Sequence, residues 1–208
     1  MGGASPWDGF EYAGAIVGDE WAIDGTVLKT DDFGNFFVFS CFHGLPNQSL
    51  CIQPLGEDYI SVTGEVSILS EPTEPWELIN TPVNEGAYAL YLNGVTYLSF
   101  SASFCWSPSY CLGLLTWDGT NDPADRAAWS KSDGCEMSSA NGHFSTGHNS
   151  FLQVGDATWT VYHAAANPNG ACDGTRYTMM QPLEVNDDGT PRFQQPAPFS
   201  EEFPEPSL

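Results

Sequence analysis

Two carboxylates and an imidazole stand at matching places in this chain. Asp24 lies in Ile23-Asp-Gly-Thr-Val-Leu28, Glu85 in Asn84-Glu-Gly-Ala-Tyr88, and His148 in Gly147-His-Asn-Ser-Phe-Leu152. They are spaced 61 residues (24 to 85) and 63 residues (85 to 148) apart. Each opens an alternating run, followed by a turn (Gly34-Asn35, Asn93-Gly94, Gly155-Asp156) and a second run rich in aromatic and β-branched residues. One fixed place in three repeats therefore carries a different ionisable residue. Where the first residues of three innermost strands face one channel mouth, the three side chains converge. Neighbouring carboxylates push their proton affinities apart, which leaves a protonated acid beside an ionised partner. Glycosidic bond cleavage asks for that pair: one carboxyl protonates the leaving oxygen, the other activates water or the sugar. Asp-Gly or Glu-Gly alone reads more simply as a turn; the threefold recurrence is what raises chemistry to an equal reading.

The elements that must position these residues repeat as well. The first unit predicts strands near 25–29, 35–41, Leu50–Leu55 and Val66–Leu69, and the second near 86–92, 95–102, 111–116 and Trp129–Lys131. The third predicts 149–154, 158–164 and Tyr177–Pro182, ending near Phe193. Loops are expected at 71–82, 117–126 and 164–175, with one helical turn within 121–129. About four short strands per unit, at a period well above 40 residues, is the pattern of a β-propeller. The fold class is therefore all-β, with about three blades. Residues 1–196 form the propeller part, and 197–208 an irregular, acidic, Pro-rich tail. Trp7–Gly14 reads as a turn leading into a short strand, the end of a preceding unit. Three blades do not close a ring, so the reading favours a truncated form.

Composition narrows the partners. Five Lys and Arg against 27 Asp and Glu give a net charge of −22, which repels nucleic acid and anionic membranes. Acidity by itself names no function. Six cysteines without a Cys-x-x-Cys fit disulfides in a secreted protein rather than zinc. Local closure predicts Cys41–Cys51 and Cys105–Cys111, leaving Cys135–Cys172. Asn47-Gln-Ser49 is a glycosylation sequon and supports secretion weakly. Met1–Pro6 has neither the apolar core of a signal peptide nor the pattern for myristoylation.

The runs Trp21-Ala-Ile-Asp-Gly-Thr-Val27, Asn84-Glu-Gly86 and Gly147-His-Asn-Ser150 resemble the family 43 glycoside hydrolases, over roughly residues 7–196. The likeness is strongest to fungal secreted α-L-arabinofuranosidases. It implies a five-bladed propeller and an inverting hydrolase of arabinose- or xylose-containing polysaccharides. It makes Glu85 the general acid and Asp24 the orienting, pKa-tuning acid. His148 becomes the channel histidine that contacts substrate or a calcium ion through water, and Arg176 a sugar-contacting arginine. No cofactor is required. The family's base Asp belongs to the first blade, and no Asp within 1–20 matches it; Asp8 and Asp19 only flank a last-strand pattern.

Trp106 is placed to stack on a sugar, or equally to pack its own loop. Trp21 reads as blade packing, and His43 and His163 as structural. His143 and His148 lack a third ligand for zinc. The rival readings are a non-catalytic carbohydrate-binding propeller fragment and a protein-interaction propeller. The latter lacks recurring structural dipeptides and leaves the three ionisable positions unexplained.

Overall fold

The computed structural model describes residues 5, 7–18 and 20–205; the leader reading on Met1–Pro6 and the reading of Asp19 fall wholly or partly outside them. Strands β1 (Ala22–Thr30), β2 (Gly34–Cys41), β3 (Ser49–Leu55) and β4 (Ser67–Ser70) form one antiparallel sheet in that order. Strands β5 (Asn84–Leu92), β6 (Val95–Ala102), β7 (Cys111–Trp117) and β8 (Trp129–Lys131) repeat it. The third sheet holds β9 (Phe144–Val154), β10 (Ala157–Ala165) and β11 (Tyr177–Pro182). In place of a fourth strand, a separate hairpin of β12 (Glu184–Val185) and β13 (Pro191–Arg192) follows. The innermost strands β1, β5 and β9 contact one another in series, so the sheets stand as three adjacent propeller blades.

Burial explains the sequence pattern. The inner-middle strands β3 and β7 are buried along nearly their whole length, and they read as continuous apolar runs rather than alternating ones. Leu28, Phe36, Val38, Leu50 and Ile52 of the first blade pack on Ala87, Leu98 and Phe100 of the second. Leu90, Tyr97 and Leu112 of the second pack on Tyr162, Ala164, Leu183 and Phe193 at the third. Each apolar side chain buried at these two interfaces contributes at about 25 cal/mol per Å² of surface removed from water. The last strands of the first two blades are only three to four residues long, which leaves little edge for stray pairing.

Several sequence expectations are corrected. The first hairpin turns at 31–33, and Gly34 begins β2 with φ 80°, so the turn lies earlier than Gly34-Asn35. The stretch from Trp7 begins with a turn, where Asp8 N donates to Ser5 O at 3.0 Å, but no strand follows: no neighbouring strand offers it a ladder. The helical turn expected within 121–129 is Arg126–Ala128, capped by Asp125, and a second turn, Pro75–Glu77, lies in the 71–82 stretch read as a loop. Cys41–Cys51 is bonded as expected, whereas the other bridges are Cys105–Cys172 and Cys111–Cys135. Local closure loses to tertiary position: Cys111 is buried at the start of β7, where the 135–137 segment returns to pair with Leu112, while Cys105 faces the next blade. The tail has no helix or strand through residue 205; Ala197 is buried, while Phe199 is 74% exposed and lies edge-on to His143 with ring centres 4.5 Å apart. No helix is long and apolar enough to cross a membrane among the described residues.

Candidate active site

Each innermost strand carries a bulge near its start, and the register of the three bulges defines the site. Ile23 pairs with Ser40 and Thr26 with Val38, so Asp24 and Gly25 face a single residue. Glu85 pairs with Ser101 and Tyr88 with Ser99, which bulges Gly86 and Ala87. Gly147 pairs with His163 and Ser150 with Val161, which bulges His148 and Asn149. The first bulge residue is left-handed in all three: Asp24 at φ 56°, Gly86 at 59° and His148 at 51°. Asp24, Gly86 and His148 are thus the equivalent positions, 62 residues apart each time. The repeat as read from sequence was one residue out in the middle blade, because Glu85 precedes its bulge.

That offset is what lets the groups meet. The three elements bring Asp24, Glu85 and His148 to one mouth. His148 Nε2 lies 3.6 Å from Asp24 Oδ1, and His148 Nδ1 lies 3.9 Å from Glu85 Oε1. The imidazole fits over the second blade because position 86 has no side chain: a Cβ there would stand 3.0 Å from the His148 ring. Two non-glycine residues held in the left-handed region cost roughly 1–2 kcal/mol each, and such strain gathers where function fixes the backbone. A small cleft of about 130 Å³ opens beside these groups, lined by Asp24, Thr26, Tyr88, His148 and Asn149 among others.

The carboxylates are held by donors. Ser40 Oγ donates to Asp24 Oδ2 at 3.1 Å, and Gly86 N donates to Ser40 Oγ at 3.4 Å, tying the first two blades. Tyr110 OH donates to Glu85 Oε1 at 2.7 Å, and Gln48 Nε2 donates to Oε2 at 2.9 Å. His148 N donates to Ser101 Oγ at 2.6 Å, and Ser101 also bonds the Tyr110 hydroxyl. Tyr110 is fully buried; burial first, then the Glu85 charge, holds its phenol well above the ordinary value, so it stays an O–H. Its ring stacks on His163 with centroids 5.6 Å apart, and a Cβ on Gly147 would meet it at 2.5 Å. Burial, followed by the charge of Arg176, lowers His163 to about 4, so that ring is neutral at pH 7. Behind the acid, Asn84 Nδ2 donates to the buried Glu77 at 2.9 Å, and Glu77 is paired with Lys131 at 2.8 Å.

The remaining expected residues lie on the rim. Arg176 reaches His163 Nε2 at 3.1 Å and touches the site through that ring rather than directly. Trp106 is 49% exposed on the loop that leads to Tyr110. Trp21 does not pack between blades; it is exposed against Phe42 at 5.0 Å. His43 pairs with Glu20 at 2.7 Å near the surface, and His163, read as structural, supports the site instead. Sequence reading missed Tyr110, Gln48, Ser40 and Ser101. The serines were signalled by Phe39-Ser40 and Phe100-Ser101 at the same place in two units; Tyr110 and Gln48, in loops, carried no signal. Calcium takes oxygen ligands. Among the described residues no group of three or more His, Cys, Asp or Glu is set to hold a metal, and both His148 nitrogens face carboxylates. An ion reached from His148 through water would take water oxygens as ligands, and no step below passes through one.

Antiparallel blades around an axis, with acids at the N-terminal ends of the innermost strands, define a propeller of the glycoside-hydrolase class. The sequence profile of Glycosyl hydrolases family 43 matches residues 4–191, and the chain belongs to that family. It is 33% identical over 157 residues to an extracellular exo-α-(1→5)-L-arabinofuranosidase of Streptomyces avermitilis, covering 71% of this chain and 32% of that protein. It is 36% identical over 145 residues to α-L-arabinofuranosidase B of Pyricularia oryzae, covering 63% of this chain and 28% of that one. The crystal structure of α-L-arabinofuranosidase from Lactobacillus brevis superposes with a TM-score of 0.78 at 30% identity, over 88% of this chain and 58% of that one. The chain therefore spans about a third of the length of these curated relatives.

Proposed function

We propose that the chain carries the general-acid side of an inverting site for terminal α-L-arabinofuranosyl bonds of arabinose- and xylose-containing plant polysaccharides, outside the cell, with Glu85 as the acid. No residue at this mouth is assigned as the base that takes the attacking water's proton. The observation that carries this is the pair of donors on Glu85 beside Asp24 and His148. To protonate a leaving oxygen, Glu85 must itself hold a proton, and one donor must then turn acceptor. Tyr110 can do so: its oxygen accepts from Oε1–H while its own proton swings to His148 Nδ1, 3.5 Å away. When Glu85 gives up the proton, the hydroxyl turns back. Asp24, fixed by Ser40, orients His148 beside the reacting sugar. Relatives named as arabinofuranosidases support the substrate class, and one of them is named as extracellular.

The test is hydrolysis of aryl α-L-arabinofuranosides by the chain and by Glu85→Gln. General acid catalysis contributes about 10²–10⁴-fold, and it matters most where the leaving group is poor. The variant is expected to lose that factor on poor leaving groups and much less on activated ones. Equal losses on both would remove the acid role. Sugar binding with no turnover in the parent chain would favour the carbohydrate-binding reading.

A further inference from the structure

The opposite edge of the first two blades holds a larger opening than the acid site. From Asp24, β1 runs six residues to Thr30, about 20 Å at the rise of an extended strand. There a cleft of about 510 Å³ lies between the β1–β2 turn, the β5–β6 turn and the end of β7. Three aromatic rings stand in or beside it, two of them held by a hydrogen bond. Tyr91 is 48% exposed, and its hydroxyl accepts from Lys29 N at 2.7 Å. Trp117 Nε1 donates to Asn121 O at 2.9 Å, and its half-buried ring packs on the core while lining the cleft. Phe33 is 39% exposed and meets Trp117 edge-on at 5.9 Å. Asp31 and Asp32 on the first turn line the same space.

We infer that this cleft is a second carbohydrate site, for neutral pentose oligomers, on the far side of the propeller from Glu85. A sugar ring offers an apolar C–H face and a rim of hydroxyls. Pre-fixed aromatic faces stack on the first, and carboxylate oxygens accept from the second, without ordering side chains at the moment of binding. With the chain's charge of −22, polyuronates are repelled and neutral sugars are not. The choice of pentose rests on the proposed function; the site's existence does not. A site remote from the acid would hold the molecule on a polymer while a chain end reaches Glu85.

The 22.6 kDa chain suits a titration by ¹⁵N NMR with a linear α-1,5-arabino-oligosaccharide of five sugars, read at the Trp117 indole signal. That signal is assigned by its loss in Trp117→Phe. It is expected to shift saturably in the parent and in Glu85→Gln alike, and Tyr91→Ala should weaken the affinity it reports by about five- to ten-fold, the worth of one aromatic contact. Oligogalacturonate should leave it still. Shifts at the Glu85 and His148 amides with none at Trp117 would overturn the second site and leave the proposed function standing. Shifts at Trp117 alone would do the reverse, and shifts at neither would remove both. An unchanged affinity in a folded Tyr91→Ala chain would also count against the site.

Discussion

Glu85 is served by a side chain that does no chemistry of its own on a substrate. Tyr110 is closed off from water, and its only useful property is a hydroxyl that can face either Glu85 or His148. That hydroxyl is held in place by the ring beneath it, so the state of His163 matters. His163 is lowered to about 4 because burial and the nearby Arg176 guanidinium oppose a second positive charge. In the unfolded chain it titrates near 6.5. Between these values the unfolded chain binds the extra proton and the folded one does not. The stability that neutral His163 contributes is therefore complete above about 6.5 and is lost as pH falls through about 4. His163→Phe keeps a ring against Tyr110 and cannot titrate. Denaturant unfolding of both proteins between pH 7 and 4 should show the parent losing up to about 3 kcal/mol relative to the variant. A difference that stays flat across that range would mean the imidazole is not excluded from protonation.

At the level of the strands, the bulge sets what each blade presents, and it inverts an ordinary preference. Inside a strand glycine is usually worse than alanine by roughly 0.5–1 kcal/mol. At position 24 the left-handed φ of 56° reverses this, since alanine keeps the Cβ clash and has none of the carboxylate's bonds. Asp24→Gly should thus be more stable than Asp24→Ala by about 1 kcal/mol, measured as thermal midpoints of the two variants; the opposite order would show that the bulge relaxes when the carboxylate is gone. The same geometry marks how far the sequence could be read. Strand existence followed from alternation and from the double-buried runs at Leu50 and Cys111, and the three ionisable positions followed from the repeat. The one-residue offset at Glu85 could not, because a bulge leaves no trace in polarity when its first residue is Gly86 in one blade and Asp24 or His148 in the others. Tyr110 and Gln48 stayed hidden for another reason: a loop residue's partner is set by where the neighbouring blade stands. Beyond Cys41–Cys51, the remaining four cysteines pair differently from local closure on the same account.

Across the molecule, Cys105–Cys172 is the bridge that spans blades, whereas Cys41–Cys51 and Cys111–Cys135 each close within one. It fastens the loop carrying Trp106 and Tyr110 to the loop carrying Arg176. Ser145 Oγ strengthens the seam, donating to Ser107 O at 3.0 Å and accepting from Ala171 N at 3.2 Å. Its closed loop is also the longest, at a sequence separation of 67 against 24 and 10. If cross-links act by restricting the unfolded chain, its removal should cost about 4 kcal/mol, against roughly 3 for the shortest. The double variant Cys105→Ser/Cys172→Ser is therefore expected to unfold at lower denaturant than Cys41→Ser/Cys51→Ser. It should also lose the Tyr110–Glu85 contact first, because that contact depends on the loop the bridge pins. Hydrogen exchange separates the two effects: amides at 103–110 and 166–176 should exchange faster in the first variant while those of β2 and β3 stay protected. Uniform loss of protection would mean that the bridge stabilises the fold as a whole and does not specifically order the loop beneath Glu85.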